Sequence, residues 1–444
     1  MGKITLRQAA LWCGGYVAPE FEEVTFYGAN MDSRKLLPGQ LFIALEGVRD
    51  GHDFIDVAFE KGAAAVLCKH CPEGKPAIIV DDPRTALGKI AFGERERIGM
   101  KTVAVTGSVG KSTTKEMIAC VLEADYRVSK TPANFNNDLG MPMAILAMPE
   151  STQIGVLEMG MSHFGEIAYL SRIGRPDVAV IINVGVMHME NLGSREGILQ
   201  AKLEILEGMG KESRLFLNRD NDMLANWTPD REVGWFGEHA GAQVRATEIL
   251  QEENSLRYTV QWPGEPFEVT LPLVGMHYVS DSLAAVSVGL HMGVAPAQIA
   301  RQLANFRTME GRQEIFREKG VTIIKDCYNA GPESMEAALL VLGRQGGKRI
   351  AVLGDMLELG DCALDAHRTV GAIAAKNADV VLAYGPLSCY VQEGAGACCR
   401  IFDDRDVMAA ALREVAETGD TLLFKGSHGM HMELVLDRFL KEDK

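Results

Sequence analysis

The stretch Thr106-Gly107-Ser108-Val109-Gly110-Lys111-Ser112-Thr113-Thr114 carries the clearest chemistry in the chain. Gly107 and Gly110 let the backbone turn tightly, so that successive N–H groups converge on phosphate oxygens. Lys111 supplies a full positive charge, and a helix beginning there adds the partial charge of its unpaired N–H groups. The Ser112 hydroxyl is placed to ligate Mg²⁺. The stretch therefore predicts a P-loop that binds a nucleotide. The strict pattern has a glycine five residues before Gly110, and Val105 stands there. A chance Gly-Lys-Ser in an ordinary strand-to-helix turn is the competing reading, and the flanking elements decide against it.

Those elements are an apolar run at 102–105, read as a buried strand, and Met117, Ile118, Val121 and Leu122, whose spacing predicts a helix over 111–124. Strands are also predicted at 154–158, 178–183 and 214–217, and helices at 165–173 and 194–207. Such alternation predicts a largely parallel sheet covered on both faces, with ligands at the carboxyl ends of its strands. Glu158, Asn183 and His188 fall at or just beyond those ends. After 240 the pattern changes. Residues 255–262 and 267–271 alternate as antiparallel strands, with Pro263-Gly264 in the turn between them.

Two further units flank this one. Over 1–98, short apolar strands at 41–45, 64–67 and 77–80 alternate with helical or turn stretches. The polar segments 32–35 and 47–53 suit turns and ligand loops equally. Over 312–444, strands are predicted at 321–326, 349–354, 380–384 and 421–425, and helices at 333–342, 363–375, 404–417 and 429–440. The expected fold is α/β with three domains, divided as 1–98, 99–311 and 312–444.

Composition narrows the partners. A chain of 444 residues exceeds one ordinary core. Hydrophobic content of 47% and charged content of 24% are those of a soluble globular protein. A net charge of −15 argues against a nucleic-acid partner. The first residues lack the apolar core of a signal peptide, Gly2 lacks the Ser or Thr that myristoylation needs, and no apolar run reaches the length of a membrane span. A cytoplasmic protein without membrane insertion is expected. The nine cysteines are an odd number, which suits reduced thiols. Cys68 and Cys71 have zinc-like spacing without a second such pair, so no cysteine is expected to be a ligand.

Taken in order, the motifs resemble those of the Mur ligases over nearly the whole chain. In the first unit they are Asp32-Ser33-Arg34-Lys35, 41–45 and Asp50-Gly51-His52-Asp53-Phe54. In the second they are the P-loop, the Asn-rich run from Asn134 to Pro142, Glu158-Met159-Gly160, Gly165-Glu166-Ile167, His188, Gly193-Ser194 and Ala201-Lys202-Leu203-Glu204-Ile205. In the third they are Gly311-Arg312, Asp326-Cys327-Tyr328-Asn329-Ala330, the run from Val352 to Gly360 and Lys425-Gly426-Ser427.

The resemblance implies a central P-loop domain that binds ATP, an N-terminal α/β domain that binds UDP and a C-terminal Rossmann-like α/β domain. It implies an ATP-dependent amide ligase joining D-alanyl-D-alanine to UDP-N-acetylmuramoyl-tripeptide in peptidoglycan precursor synthesis, working as a monomer. ATP would convert a carboxylate to an acyl phosphate, which an amine then attacks. Such a site must align mutually repelling anions and neutralise transferring charge. By resemblance, Lys111 holds the terminal phosphates and Thr106 to Thr113 wrap them. Ser112 and Glu158 ligate one Mg²⁺, while His188 and Lys202 belong to a second metal site. Lys202 would serve there as a carbamate, since an ammonium cannot ligate a cation. Without the resemblance, a helix-surface salt bridge from Lys202 to Glu204 or Glu207 is the simpler expectation. Arg312 would reach the γ-phosphate, Asp281, Asp326 and Asn329 would contact the nucleoside, and Ser33, Arg34, Asn136 and Asn137 would contact the UDP-linked substrate.

The chain departs from the family pattern at several positions. Val109 replaces a polar residue, and Ser112 replaces threonine. His277-Tyr278-Val279-Ser280-Asp281 stands where His-Asn-x-x-Asn is usual, Gly331 replaces an asparagine and His428 an arginine. Two other functions remain open: a related ligase with a different amine substrate, and a P-loop ATPase that switches a partner. The second leaves Glu158, His188 and Lys202 without a joint purpose.

Overall fold

The computed structural model describes residues 3–70 and 73–441, so Met1, Gly2 and Cys71 lie outside the described residues. It contains three successive α/β units. The first is built on a four-stranded parallel sheet, ordered Ala29–Asn30, Leu41–Ile43, Ala65–Cys68, Ala77–Ile79. Helix Pro83–Ile98 leads out of it. Asp82 caps its start by accepting the Arg84 N–H, Pro83 occupies the first turn, and Gly99 ends it in the left-handed region.

The central unit carries a nine-stranded sheet. Its order is Phe267–Leu271, Leu256–Gln261, Val244–Gln251, Val233–Gly237, Arg214–Asn218, Val178–Ile181, Lys101–Thr106, Ile154–Glu158, Val128–Lys130. The pairing is parallel except at the first two strands, which form the hairpin read from the alternation. The chain moves outward from Lys101–Thr106 on one side and returns at Val178–Ile181 on the other, which makes a switch point beside the P-loop strand. Alternate side chains serve opposite faces. Val103, Val105, Val178 and Val180 pack beneath helices Lys111–Leu122 and His277–His291. Ala104, Ala179 and Ile181 join a core continuous with Leu41, Ile43 and Leu67 of the first unit. The first and second units thus share one core.

The third unit has a six-stranded sheet, ordered Glu314–Glu318, Val321–Asp326, Thr421–Lys425, Arg349–Gly354, Val380–Tyr384, Cys399–Phe402, parallel except at the first edge. Two predicted helices are shorter than expected. The one at 194–207 is α-helical only over Arg195–Leu203 and tightens to a 3-10 turn over Glu204–Gly208. There the Ser171 hydroxyl accepts the Gly208 N–H and draws the backbone in. The last helix begins at Glu433 because His431 is left-handed at φ +50°. No described helix is long and apolar enough to cross a membrane.

Candidate active site

Strand Lys101–Thr106 runs directly into the P-loop and helix Lys111–Leu122 leaves it. Gly110 sits between them at φ +83°, a region costly for any residue with a Cβ. Asn183, just past strand Val178–Ile181, clasps the loop. Its Oδ1 accepts the N–H groups of Ser108 at 2.9 Å and Val109 at 3.0 Å, and its Nδ2 donates to the Val109 carbonyl at 3.1 Å. The Gly185 N–H donates to the Ser108 hydroxyl at 2.9 Å. Lys111 Nζ folds back to donate to the carbonyls of Gly107 at 2.8 Å and Ser108 at 3.1 Å. Burial pushes its pKa down, Glu158 opposes that shift, and Arg312 adds to it.

Glu158 ends its strand in a cradle. Its N–H donates to the Thr131 hydroxyl at 3.0 Å, and Asn136 Nδ2 donates to its Oε1 at 2.9 Å. Lys115 Nζ donates to the Thr131 carbonyl at 2.7 Å and lies 3.7 Å from Glu158 Oε2. Oε2 itself is buried and makes no hydrogen bond. A carboxylate oxygen in that condition fits a cation. Lys115 escaped the motif reading. The available signal was its position: it shares the buried helix face with Ile118, Ala119 and Leu122, where a lysine needs a partner.

The opposite wall belongs to the third unit and the hinge before it. Gly311 and Gln313 are both left-handed, at φ +71° and +48°, and present Arg312 between them. Arg312 Nη2 donates to the Ser112 hydroxyl at 2.9 Å. Asp326 pairs with Lys425 at 2.6 Å and accepts the Gln313 N–H at 3.2 Å. Lys425 Nζ also donates to the Asn329 carbonyl at 3.0 Å. His188 Nδ1 lies 2.8 Å from Glu358 Oε2, which holds the Glu358 carboxyl below its ordinary range. Glu333 Oε1 accepts the Val186 N–H at 3.1 Å. The two units thereby enclose a cavity of about 790 Å³. Gln313 carries an inward amide bonded to the Val274 carbonyl, which ties the hinge to the central unit.

The cavity gathers most of the predicted site. Ser108 to Thr113, Asn136, Asn137, Glu158, His188, Asp281, Arg312, Asp326 and Asn329 all line it. Thr106 and Gly107 shape the loop without lining it. Asn136 bonds Glu158, and Asn137 Oδ1 accepts the N–H of Gly140, the first residue of helix Gly140–Leu146, at 2.7 Å. Ser33 and Arg34 lie outside the cavity. Ser33 is buried, and the exposed Arg34 is held by Asp32, Nε to Oδ1 at 2.9 Å and Nη2 to Oδ2 at 2.9 Å. Asp281 is packed behind the P-loop, where its Oδ1 accepts the Thr114 hydroxyl at 3.0 Å. Burial raises its pKa to about 7.

Lys202 differs from the simpler expectation. It is 1% exposed and forms no bridge to Glu204 or Glu207. Glu204 instead accepts the N–H groups of Gly165 and Ala168, and Glu207 pairs with Arg172. The two carboxylates stand two and five residues beyond Lys202, spacings that do not share a helix face with it. Burial, and secondarily the charge of Lys111, lowers the Lys202 pKa well below the ordinary lysine value. Among the described residues no group of three or more His, Cys, Asp or Glu is arranged to hold a metal ion.

A P-loop at a sheet switch point, closed by a second α/β unit that presents an arginine to it, defines a multidomain nucleotide-binding enzyme. Family models match along the chain: the Mur ligase family catalytic domain at 25–95, the Mur ligase middle domain at 105–289 and the Mur ligase glutamate ligase domain at 311–428. The chain belongs to the Mur ligase family. It is 41% identical to the UDP-N-acetylmuramoyl-tripeptide--D-alanyl-D-alanine ligase of Bacillus subtilis (strain 168), covering 98% of each chain. Identity to the enzyme of that name from Escherichia coli (strain K12) is 35%, over 95% of each. A MurF crystal structure from Acinetobacter baumannii superposes with a TM-score of 0.92 at 31% identity over 100% of both chains. The MurF ligase of Thermotoga maritima in complex with ADP gives 0.84 at 31% identity, over 94% of this chain and 97% of that one.

Proposed function

We propose that this chain is the ATP-dependent ligase that joins D-alanyl-D-alanine to UDP-N-acetylmuramoyl-tripeptide, releasing ADP and phosphate. The observation that carries the reading is the shared cavity, in which Lys111, Ser112 and Glu158 from one domain face Arg312 and Asp326 from the next. No side chain is needed as a nucleophile. The tripeptide carboxylate attacks the γ-phosphorus and the bond to ADP breaks; the dipeptide amine then attacks the acyl carbon of the resulting acyl phosphate, forming the amide bond as inorganic phosphate and a proton leave. Lys111 and Arg312 offset the charge that moves between the phosphate oxygens. Asp326, held by Lys425, would meet the ribose hydroxyls, with Asn329 beside it.

Ser112 and Glu158 would hold Mg²⁺, and the unbonded Glu158 Oε2 supports that assignment. The ion would supply charge neutralisation at the nucleotide. His188 and Lys202 would form the second metal site. The low pKa of Lys202 favours the neutral amine, the form that adds CO₂ to give a carbamate and a proton. Domains 1–98, 99–311 and 312–444 would bind the UDP moiety, bind ATP and close the site, with Ser33 and Arg34 on the UDP side and Asn136 and Asn137 near the peptide. We assign the chain to the cytoplasm as a monomer. The test is product formation. Mass spectrometry should detect a UDP-MurNAc-pentapeptide that requires both ATP and D-Ala-D-Ala, and folded protein that makes none, or prefers another amine, refutes the assignment.

A further inference from the structure

Arg312 is an unusual cation. Among the described residues it enters no ion pair, although it lies at the mouth of a loop whose Lys111 repels it. Its guanidinium carbon instead sits 3.9 Å from the centroid of the Tyr328 ring. The same guanidinium donates to Ser112, so it spans from the third unit's ring to the P-loop helix. Tyr328 is itself fixed. Its N–H donates to the Gly311 carbonyl at 3.3 Å, and its ring packs beside His428 with centroids 6.1 Å apart.

We propose that Tyr328 is a positioning residue, an aromatic platform that holds Arg312 over the P-loop with its charge uncommitted. This rests on the reading that Arg312 meets the terminal phosphate. A carboxylate partner would hold the arginine equally well, but it would neutralise the charge and compete with phosphate for its donors. The ring quadrupole attracts the cation without neutralising it, and the guanidinium keeps donors beyond those that reach Ser112 and the Tyr328 hydroxyl. Tyr328 follows strand Val321–Asp326, whereas Ser112 belongs to the central sheet unit. The platform therefore delivers Arg312 only when the third unit is seated as it is in this structure. A nucleotide lacking the γ-phosphate gains nothing from it.

The test compares binding of ADP with binding of a non-hydrolysable ATP analogue by calorimetry on the full chain with Mg²⁺. Tyr328→Leu should lower the analogue-to-ADP affinity ratio by roughly three- to thirty-fold, the range of a cation–π contact, with ADP affinity nearly unchanged. Tyr328→Phe, which keeps the ring, should restore most of the ratio, and its recovery rules out a general folding defect. Turnover should follow the same order, with kcat falling more than the KM for the UDP-tripeptide. If Tyr328→Leu keeps the ratio within two-fold while Arg312→Met collapses it, the platform is refuted and the role of Arg312 stands. If Arg312→Met also leaves the ratio unchanged, the assignment of Arg312 falls too.

Discussion

Replacing Asp281 by asparagine should make the protein more stable, and only above acidic pH. Asp281 is 5% exposed, its Oδ1 bonded to Thr114 and only 2.6 Å from where a Cβ on Gly110 would lie. Burial outweighs both the Thr114 hydrogen bond and the nearby charge of Arg312, and its carboxyl titrates at about 7 instead of the ordinary 3.8. Between those values the folded chain carries a proton that the unfolded chain has lost. Stability therefore falls as pH rises from 3.8 to about 7 and levels off above that. The whole shift corresponds to about 4 kcal/mol, of which about 3 kcal/mol falls between pH 5 and pH 8.5. Asp281→Asn keeps an acceptor for Thr114 and removes the ionisation. Scanning calorimetry of both proteins should show the variant's advantage in melting temperature growing by roughly 3–5 °C over that pH range. An advantage that is constant with pH, or a variant less stable at pH 8.5, refutes the reasoning.

Lys202→Ala should abolish ligation while leaving the fold intact, and short carboxylates such as formate should restore part of the activity by standing in for the carbamate. Full activity without rescue, read from pentapeptide formation, removes Lys202 from the mechanism. Glu94 is 1% exposed, and Arg97 holds both its oxygens, Nε to Oε2 at 2.7 Å and Nη2 to Oε1 at 2.8 Å. Glu94→Ala removes two charge-assisted hydrogen bonds and leaves the exposed Arg97 with Glu150 as its remaining partner, and should cost about 2 kcal/mol by urea unfolding. A loss under 1 kcal/mol shows that Glu150 suffices.

Much of the fold was legible because period and length are local signals. The strands at 154–158, 321–326, 349–354, 380–384 and 421–425 match the structure residue for residue. Strand Val128–Lys130 was not legible, since three half-exposed residues carry no pattern and only pairing with Ile154–Glu158 makes them a strand. Helix His277–His291 has apolar or small residues around its whole circumference, so its moment is weak, and the sheet above it settles its identity.

The candidate site divides in the same way. Lys111 and Ser112 were legible because a glycine loop before a helix declares itself locally; Glu158 and His188 stood out only by their place at strand ends, and their metal roles come from the resemblance. Lys202 shows the limit. Glu204 and Glu207, two and five residues on, stood within apparent reach, yet both find other partners. Local pattern settled most of the elements and all of the chemical inventory. The tertiary structure alone decided which charges are paired: that Asp281 is buried behind the P-loop, that Glu358 meets His188 across two domains, and that Arg312 rests on a ring and, among the described residues, enters no ion pair. Pairing depends on distances between residues far apart in the chain, and burial sets what each unpaired charge costs.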